Sequence, residues 1–342
     1  MTATAADFEL FAACFTSNGT LRGSGDVRWQ FGENPTAELW ADFALATATE
    51  RLAAIYAVMP LRVRFGGRVL LAAQSVDTIT DTAFRGRGLF LKLASECYAR
   101  AERAGATCVF GFPNGSSAHG FFEKLDWAPL DPVPFIIRPL RTRYVAQRLK
   151  IESRLVPDAR IPVFSPRPSV NHRLVTIDPK DERAAAVWNE FASDVGIAVE
   201  RNTDYLRWRL SRPGAAYRAF GVEDGDHQLV AYGVHRFTEK HGGRVGYVME
   251  LLHRPEEPRA GAVVLGAILR ALQSEGADVA LAWNLAHSRN HRVFRRAGFV
   301  PFPERLRPIE LHFGARSFEH PPNVAVADRK SWYLSYLDSD TV

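Results

Sequence analysis

One pattern occurs twice in this chain, and a duplication constrains the fold more than any single motif does. Glu102-Arg103-Ala104-Gly105-Ala106-Thr107-Cys108-Val109-Phe110-Gly111-Phe112-Pro113-Asn114 is followed by Phe121-Phe122-Glu123-Lys124-Leu125-Asp126-Trp127. Ser274-Glu275-Gly276-Ala277-Asp278-Val279-Ala280-Leu281-Ala282-Trp283-Asn284 is followed by Val293-Phe294-Arg295-Arg296-Ala297-Gly298-Phe299. Both passages read as helix, Gly-Ala stop, short apolar strand, Asn, short helix, aromatic. Glycine suits the position after a helix because it accepts a positive φ, and a compact apolar run suits a buried strand. Upstream, Trp29-Gln30-Phe31-Gly32-Glu33-Asn34-Pro35 is echoed by Trp208-Arg209-Leu210-Ser211-Arg212-Pro213. The matches keep their order at a spacing of about 170 to 180 residues. The chain reads as two copies of one unit.

Hydrophobic periodicity fills in each copy. The first is expected to carry a helix over 37–51, strands over 53–58 and 69–79, a helix over 89–104, a strand over 107–112 and a helix over 117–125. The second is expected to carry helices over 182–192 and 203–209 and strands over 217–222, 229–237 and 244–252. A helix over 260–274, a strand over 279–283 and a helix over 288–297 follow, with closing strands over 309–313 and 332–336. Hairpins first and a strand–helix–strand later give a mixed α/β sheet in each half. Between the copies, residues 138–154 are basic, and the Pro-rich stretch 157–168 sustains neither helix nor central strand. The expected division is residues 1–150, a linker over 151–170, and residues 171–342. The basic stretch has two readings, a phosphate or nucleic-acid patch and a solvated linker helix, and the second is preferred.

Composition narrows the class. With 342 residues, 46% hydrophobic and 24% charged, the chain has ordinary globular content, which excludes collagen-like and low-complexity chains. A net charge of +5 suits small anions as well as nucleic acid. No stretch has the apolar length of a membrane span, and the first ten residues carry Asp7 and Glu9 with no basic region of a secretory signal. Cys14, Cys97 and Cys108 have neither metal nor disulfide spacing. The expectation is a cytoplasmic protein with no metal and no membrane or nucleic-acid partner.

The richest chemistry lies in Gln74-Ser75-Val76-Asp77-Thr78-Ile79-Thr80-Asp81-Thr82-Ala83-Phe84-Arg85-Gly86-Arg87-Gly88-Leu89-Phe90. A strand ends near Thr80, a tight loop carries Gly86 and Gly88, and a helix begins near Leu89. This order aims free backbone N–H groups and the positive end of a helix dipole at one spot. Arg85 and Arg87 add charge, as a pyrophosphate would require. The loop lacks the Lys-Ser/Thr pair of a P-loop and the acid of a dinucleotide fingerprint. A plain surface turn is the competing reading.

The loop, the following strand, Asn114 and the Phe-Glu-Lys-Leu-Asp-Trp helix together resemble the GNAT superfamily of acyl-CoA-dependent N-acyltransferases. The resemblance implies two tandem GNAT-like domains, each a mixed, mostly antiparallel, splayed sheet flanked by helices. In that family an Arg/Gln-x-x-Gly-x-Gly/Ala loop holds the coenzyme A pyrophosphate. Arg85-Gly86-Arg87-Gly88-Leu89-Phe90 fits except at its last position, where Phe90 replaces a small residue. Trp29 to Pro35, Gln74 to Thr78, and Gly111 to Asn114 with Lys124 to Trp127 also look like bacterial tandem-domain members that acylate amino groups of nucleotide-linked sugars.

The resemblance thus implies acetyl-CoA or a short-chain acyl-CoA as co-substrate, held by Thr78, Ile79, Thr80, Arg85, Gly86, Arg87, Gly88, Leu89, Phe90, Asn114 and Ser117. The amine acceptor is expected to be a nucleotide-linked amino sugar. In the second copy the loop position reads His253-Arg254-Pro255-Glu256-Glu257-Pro258-Arg259, where acids and prolines disfavour phosphate. One coenzyme site is expected, in the first domain.

An ammonium acceptor must lose a proton before attacking a thioester. Asp77 is the leading base, with a carboxylate bonded to a neighbouring strand as the structural alternative. Gln74 is a candidate for substrate binding. Phe122 stands where the family often has a tyrosine acid, and His119 is the candidate to replace it. An oxyanion donor is expected among the N–H groups of residues 76–79. Two other functions stay open at this stage: a GNAT enzyme acting on a protein lysine, a thiol precursor or an antibiotic, and a CoA-sensing module without turnover.

Overall fold

The computed structural model describes residues 4–36, 39–46, 51–148, 151–152, 156–240, 243–307 and 309–339. The first half runs α1 (Phe8–Ser17), α2 (Ser24–Val27), β1 (Trp40–Ala46), β2 (Arg51–Phe65), β3 (Arg68–Thr80), α3 (Leu89–Arg103), β4 (Cys108–Gly111), α4 (Gly115–Lys124), β5 (Ala128–Pro129), β6 (Phe135–Pro139) and α5 (Thr142–Arg148). The second runs β7 (Arg173–Ile177), α6 (Ala184–Phe191), β8 (Ile197–Val199), α7 (Thr203–Arg209), β9 (Tyr217–Glu223), β10 (Leu229–Lys240) and β11 (Gly243–His253). It continues through α8 (Pro258–Ser274), β12 (Val279–Trp283), α9 (His291–Arg296), β13 (Val300–Pro301) and β14 (Gly314–Ser317).

Each half builds one sheet, in the orders β1-β2-β3-β4-β14-β5, with β8 added to β2, and β13-β6-β12-β11-β10-β9-β7. In each, one pair of strands joined through a helix runs parallel, β3 with β4 and β11 with β12, and the remaining pairs are antiparallel. The sheets trade strands. β6, from the first half, lies between β12 and β13, whereas β14, near the end of the chain, lies between β4 and β5. Sheet membership therefore crosses the expected division at 151–170, and each sheet is completed by the other half.

The two tryptophans of the repeated upstream motif meet at the centre. Trp29 and Trp208 stack with centroids 5.1 Å apart, and each indole N–H donates to the other's backbone carbonyl, at 2.9 and 2.8 Å. Equivalent residues of two copies touch in this reciprocal way only near a two-fold axis, here internal to one chain. The largest apolar core spans both halves, with Phe11, Phe43 and Phe110 from the first and Trp188, Met249 and Trp332 from the second. Smaller cores lie under α8 and under α3.

Several expectations are corrected. The helix over 37–51 is instead β1, because Trp40–Phe43 are buried on pairing with β2, and this pairing overrides the helix preference of the alanines; residues 37, 38 and 47–50 lie outside the described residues. Helix α1 was not anticipated, although its Phe8, Phe11, Ala12 and Phe15 form one buried stripe. The closing strand is Gly314–Ser317, and the 332–336 stretch contributes a single bridge, Trp332 to Ile197. The described part of the basic stretch is in structural use. Arg138 is buried and donates to the Pro162 carbonyl (2.8 Å), while Arg141 and Arg143 pair with Asp158 and Asp278. Among the described residues no helix is long and apolar enough to cross a membrane, and no cluster of three metal-type ligands occurs.

Candidate active site

β3 and β4 pair only from Ala73–Val109 to Ser75–Gly111. Beyond that point β3 runs on to Thr80 while β4 has ended, so the strands part. The opening is a cavity of about 760 Å³. Its upper wall is the end of β3 and the loop that follows, and its lower wall is Phe112, Pro113, Asn114 and the start of α4. Phe15, Asn18 and Thr20, at and just past the end of α1, close one side.

Local sequence explains the loop. Gly86 and Gly88 take φ of 76° and 71°, values that glycine alone adopts freely. The first bond inside α3 runs from the Lys92 N–H to the Gly88 carbonyl, 3.1 Å. The N–H groups of Leu89, Phe90 and Leu91 are therefore left at the helix start, and all three residues line the cavity. Phe90, the one departure from the loop pattern, packs its ring edge-on to Phe121 (5.3 Å) and Tyr56 (5.7 Å). Gly120 makes that room: a Cβ there would sit 2.7 Å from the Phe90 ring. The bulky residue is thus accommodated by a glycine on α4, and its N–H stays at the helix start.

β3 carries a bulge where it faces the cavity, since its register with β2 slips between Ile55 and Ala57. Asp77 sits at the bulge with a positive φ. Its Oδ2 accepts from Arg22 Nη2 (2.6 Å) and Gln30 Nε2 (3.0 Å), and Arg22 also donates to Gln30 Oε1 (2.6 Å). Arg22 and Gln30 are site residues that sequence reasoning missed. Gln30 lies inside the repeated Trp29 motif, and Arg22 stands in the same relation to Trp29 as Arg201 does to Trp208. Below the cleft, Trp127 donates to the Tyr98 hydroxyl (3.0 Å), which bonds Tyr56 (2.6 Å), which bonds Ser75 on the cavity wall (3.0 Å). Burial pushes both tyrosine hydroxyls well above their ordinary range, so the chain positions Ser75 and remains protonated at neutral pH.

The expected residues divide cleanly. Asp77, Thr78, Ile79, Thr80, Arg85, Gly86, Gly88, Leu89, Phe90, Asn114 and Ser117 share the cavity wall. Arg87 does not line it; its guanidinium lies over the Phe84 ring at 5.2 Å. Gln74 is turned to the opposite face of β3, buried, with its Nε2 donating to the Asp338 carbonyl (2.6 Å). Strand alternation sends it there, one residue away from the wall. His119 is exposed and outside the cavity, because Ser116, Ser117, Gly120 and Phe121 form the cavity-facing side of α4 and His119 lies off it. Asn114 is the N-cap of α4: its Oδ1 accepts from the N–H groups of Ser116 (3.0 Å) and Ser117 (3.1 Å). The cap is thus the asparagine, with the serines as its donors.

A strand parted from its parallel neighbour beneath a glycine loop and a helix start is the geometry that the sequence resemblance called for, and residues 3–130 match the family model described as acetyltransferase (GNAT) domain. The fold is GNAT-like. A probable N-acyltransferase from Enterococcus faecalis V583 superposes with a TM-score of 0.61 at 13% identity, over 93% of this chain and 72% of that one. N-myristoyltransferase from Saccharomyces cerevisiae, solved with bound myristoyl-CoA, superposes with a TM-score of 0.61 at 11% identity, over 92% and 79%. No curated protein matches the chain in sequence. The fold shared with these two structures extends across both halves, whereas the family model covers only the first.

The second copy departs at the loop. β11 and β12 pair from Val245–Val279 to Tyr247–Leu281, and β11 runs on to His253. Here α8 begins at Pro258 and packs close: a Cβ on Gly261 would lie 2.7 Å from the His253 ring. Arg254 is tied to Glu190 (3.1 Å), and Glu257 faces His172 at 3.6 Å. This end is packed with protein.

Proposed function

We propose that the chain is an acyl-CoA-dependent N-acyltransferase whose chemistry takes place in the first-half cleft. The observation that carries this reading is the set of N–H groups at Leu89, Phe90 and Leu91, left without helical partners at the mouth of the gap between β3 and β4. Such a helix start binds phosphate oxygens through aligned donors and the helix dipole. Gly86 and Gly88 let the backbone approach, and Arg85 adds a charge-assisted bond. The gap then takes the extended pantetheine arm, and acetyl-CoA or a short-chain acyl-CoA is the donor.

The thioester carbon is attacked by a primary amine entering beside Phe15, Asn18 and Thr20. Asp77 takes the ammonium proton, directly or through water, with Arg22 and Gln30 holding its Oδ2 in place. The N–H groups of the β3 bulge stabilise the carbonyl oxygen as it becomes anionic. The C–N bond forms, the nitrogen gives up its second proton to solvent, the C–S bond breaks, and the thiolate leaves with the electron pair. Phe122 has no proton to give and His119 is out of reach, so the leaving thiolate takes its proton from solvent. For the acceptor we propose the amino group of a nucleotide-linked sugar, which is supported by the resemblance carried by Trp29 to Pro35, Gln74 to Thr78, and Gly111 to Asn114 with Lys124 to Trp127.

Calorimetric titration with acetyl-CoA tests the donor site. The native chain should bind in the micromolar range or tighter, and Arg85→Glu with Gly88→Val should weaken binding roughly 100-fold or more, since valine cannot adopt the loop's positive φ without strain. Absence of affinity in the native protein would sink the proposal. Thiol release with nucleotide-linked amino sugars, free amino sugars, lysine peptides and aminoglycosides then ranks acceptors. Turnover on a lysine peptide and not on the sugars would replace the acceptor assignment.

A further inference from the structure

A second cavity of about 440 Å³ lies on the second sheet, where the chain enters β11 and β12, and it shares no wall residue with the cleft. The volume falls within the usual range for small-molecule sites. Five aromatic residues line it, Phe135, Tyr144, Tyr247, Phe302 and Tyr336. Tyr247 meets Tyr336 edge-on at 5.0 Å, and Tyr336 stacks on Trp283 at 4.9 Å, so these rings are held before any ligand arrives.

The rim is cationic. Arg244, Arg305 and Arg307 line it, and the acid on the wall, Asp278, is already shared by Arg143 (2.5 Å) and Arg244 (3.5 Å). Arg307 is the unusual member. Its side chain is only 7% exposed, yet its carboxylate partner, Glu304, lies at 3.8 Å and is itself 68% exposed. Its Nε donates to the Phe302 carbonyl (3.0 Å), and the guanidinium lies 4.7 Å from the centre of the Phe135 ring. Buried charges are normally closely paired, because a charge withdrawn from water without a counter-charge is costly. A guanidinium fork matches one planar carboxylate, and edge-on aromatic walls accept a flat ring.

We propose that this cavity binds a small aromatic carboxylate, its ring among Tyr247, Phe302 and Tyr336 and its carboxylate on Arg307. The test is calorimetry of the full-length chain with 2-naphthoate, and with 2-naphthalenemethanol as the uncharged counterpart. Saturable one-site binding of the naphthoate is expected. It should weaken about tenfold or more for the alcohol and for Arg307→Gln, as loss of a charge-assisted pair implies. The exposed Arg305→Glu should weaken it severalfold without disturbing the fold, and this variant decides if Arg307→Gln does not fold. No saturable binding, equal binding of acid and alcohol, or native affinity in both variants would overturn the proposal.

Discussion

Both copies pair an arginine with an acid on the central hairpin, and both hairpins carry a bulge beside that acid. In the first copy Arg22 meets Asp77 at 2.6 Å, each side chain 12% exposed at the cleft. In the second, Arg201 meets Glu250 at 3.1 Å with both side chains fully buried. The tail of the chain makes the difference. Tyr333 and Ser335 donate to Glu250, and Arg201 also holds Asp338 at 2.8 Å. Arg209, the counterpart of Gln30, grips the Leu337 and Ser339 carbonyls at 2.9 and 2.7 Å. One geometry, duplicated, has become a part-buried pair beside the cleft in one half and a polar core in the other. Burial, aided by the Asp338 charge, pushes the Glu250 carboxyl above its ordinary value, and the Arg201 charge and the Tyr333 and Ser335 hydrogen bonds oppose that shift.

The sharpest test of this contrast swaps the measurement between the two arginines. Arg201→Ala leaves Glu250 and Asp338 buried without the arginine they share and should cost about 3–5 kcal/mol of folding stability. Arg22→Ala, at the cleft edge, should cost about 1–2 kcal/mol but lower acyl-transfer turnover roughly tenfold by releasing Asp77. Urea unfolding and steady-state kinetics on both variants decide. If Arg22→Ala proves the more destabilising, the division into a working half and a structural half is wrong.

A smaller effect concerns acid sensitivity, which should reside in the second half. His235 is buried and stacked on Phe220 with rings 2° from parallel; neither of its ring nitrogens has a hydrogen-bond partner, and Glu275 lies 3.7 Å from its Nε2. Burial, aided by the Arg218 charge, lowers its pKa to about 4. A base kept neutral by the fold has no effect on stability above its free value near 6.5. Below that the unfolded chain takes up the proton first, so stability falls as pH drops from 6.5 towards 4, by about 3 kcal/mol in total. His235→Phe should remove that slope while leaving stability at pH 8 within about 1 kcal/mol of native. A slope that persists in the variant would place the sensitivity elsewhere.

The legible parts were those written in local chemistry. Helix α7 and strand β12 fall on the expected 203–209 and 279–283, and α3 ends within a residue of its expected limit. The glycine loop was readable because a positive φ and a helix start both leave marks in sequence. Strand exchange left none: β6 and β14 are short, and no periodicity says which sheet completes them. Side-chain direction near the site was half-readable. Alternation turns Gln74 away from its neighbour Ser75 on the cavity wall, yet what lies behind Gln74 is the Asp338 carbonyl, 264 residues on. Arg22 was invisible because its partner lies 55 residues away across the sheet. Its signal was the repeat itself, followed one motif further upstream.

The finest comparison is between neighbours on one loop. Arg85 lines the cleft and Arg87 does not, although the two differ by a single glycine in sequence. Arg87 is exposed and its guanidinium rests on the ring of Phe84, a residue of the cavity wall, at 5.2 Å, so that it backs the wall without lining the cavity itself. Exposed charges act over distance and are weakened by salt, with a screening length of about 8 Å at physiological ionic strength. Arg85 is exposed too but lines the cleft, so Arg85→Gln should weaken acetyl-CoA binding about tenfold and keep most of that deficit as salt is raised. Arg87→Gln should weaken it less than about threefold, with the deficit fading as salt is raised. Calorimetry at low and high salt separates the two, and a salt-independent tenfold loss at Arg87 would mean that the loop closes over the diphosphate and brings both arginines into contact with it.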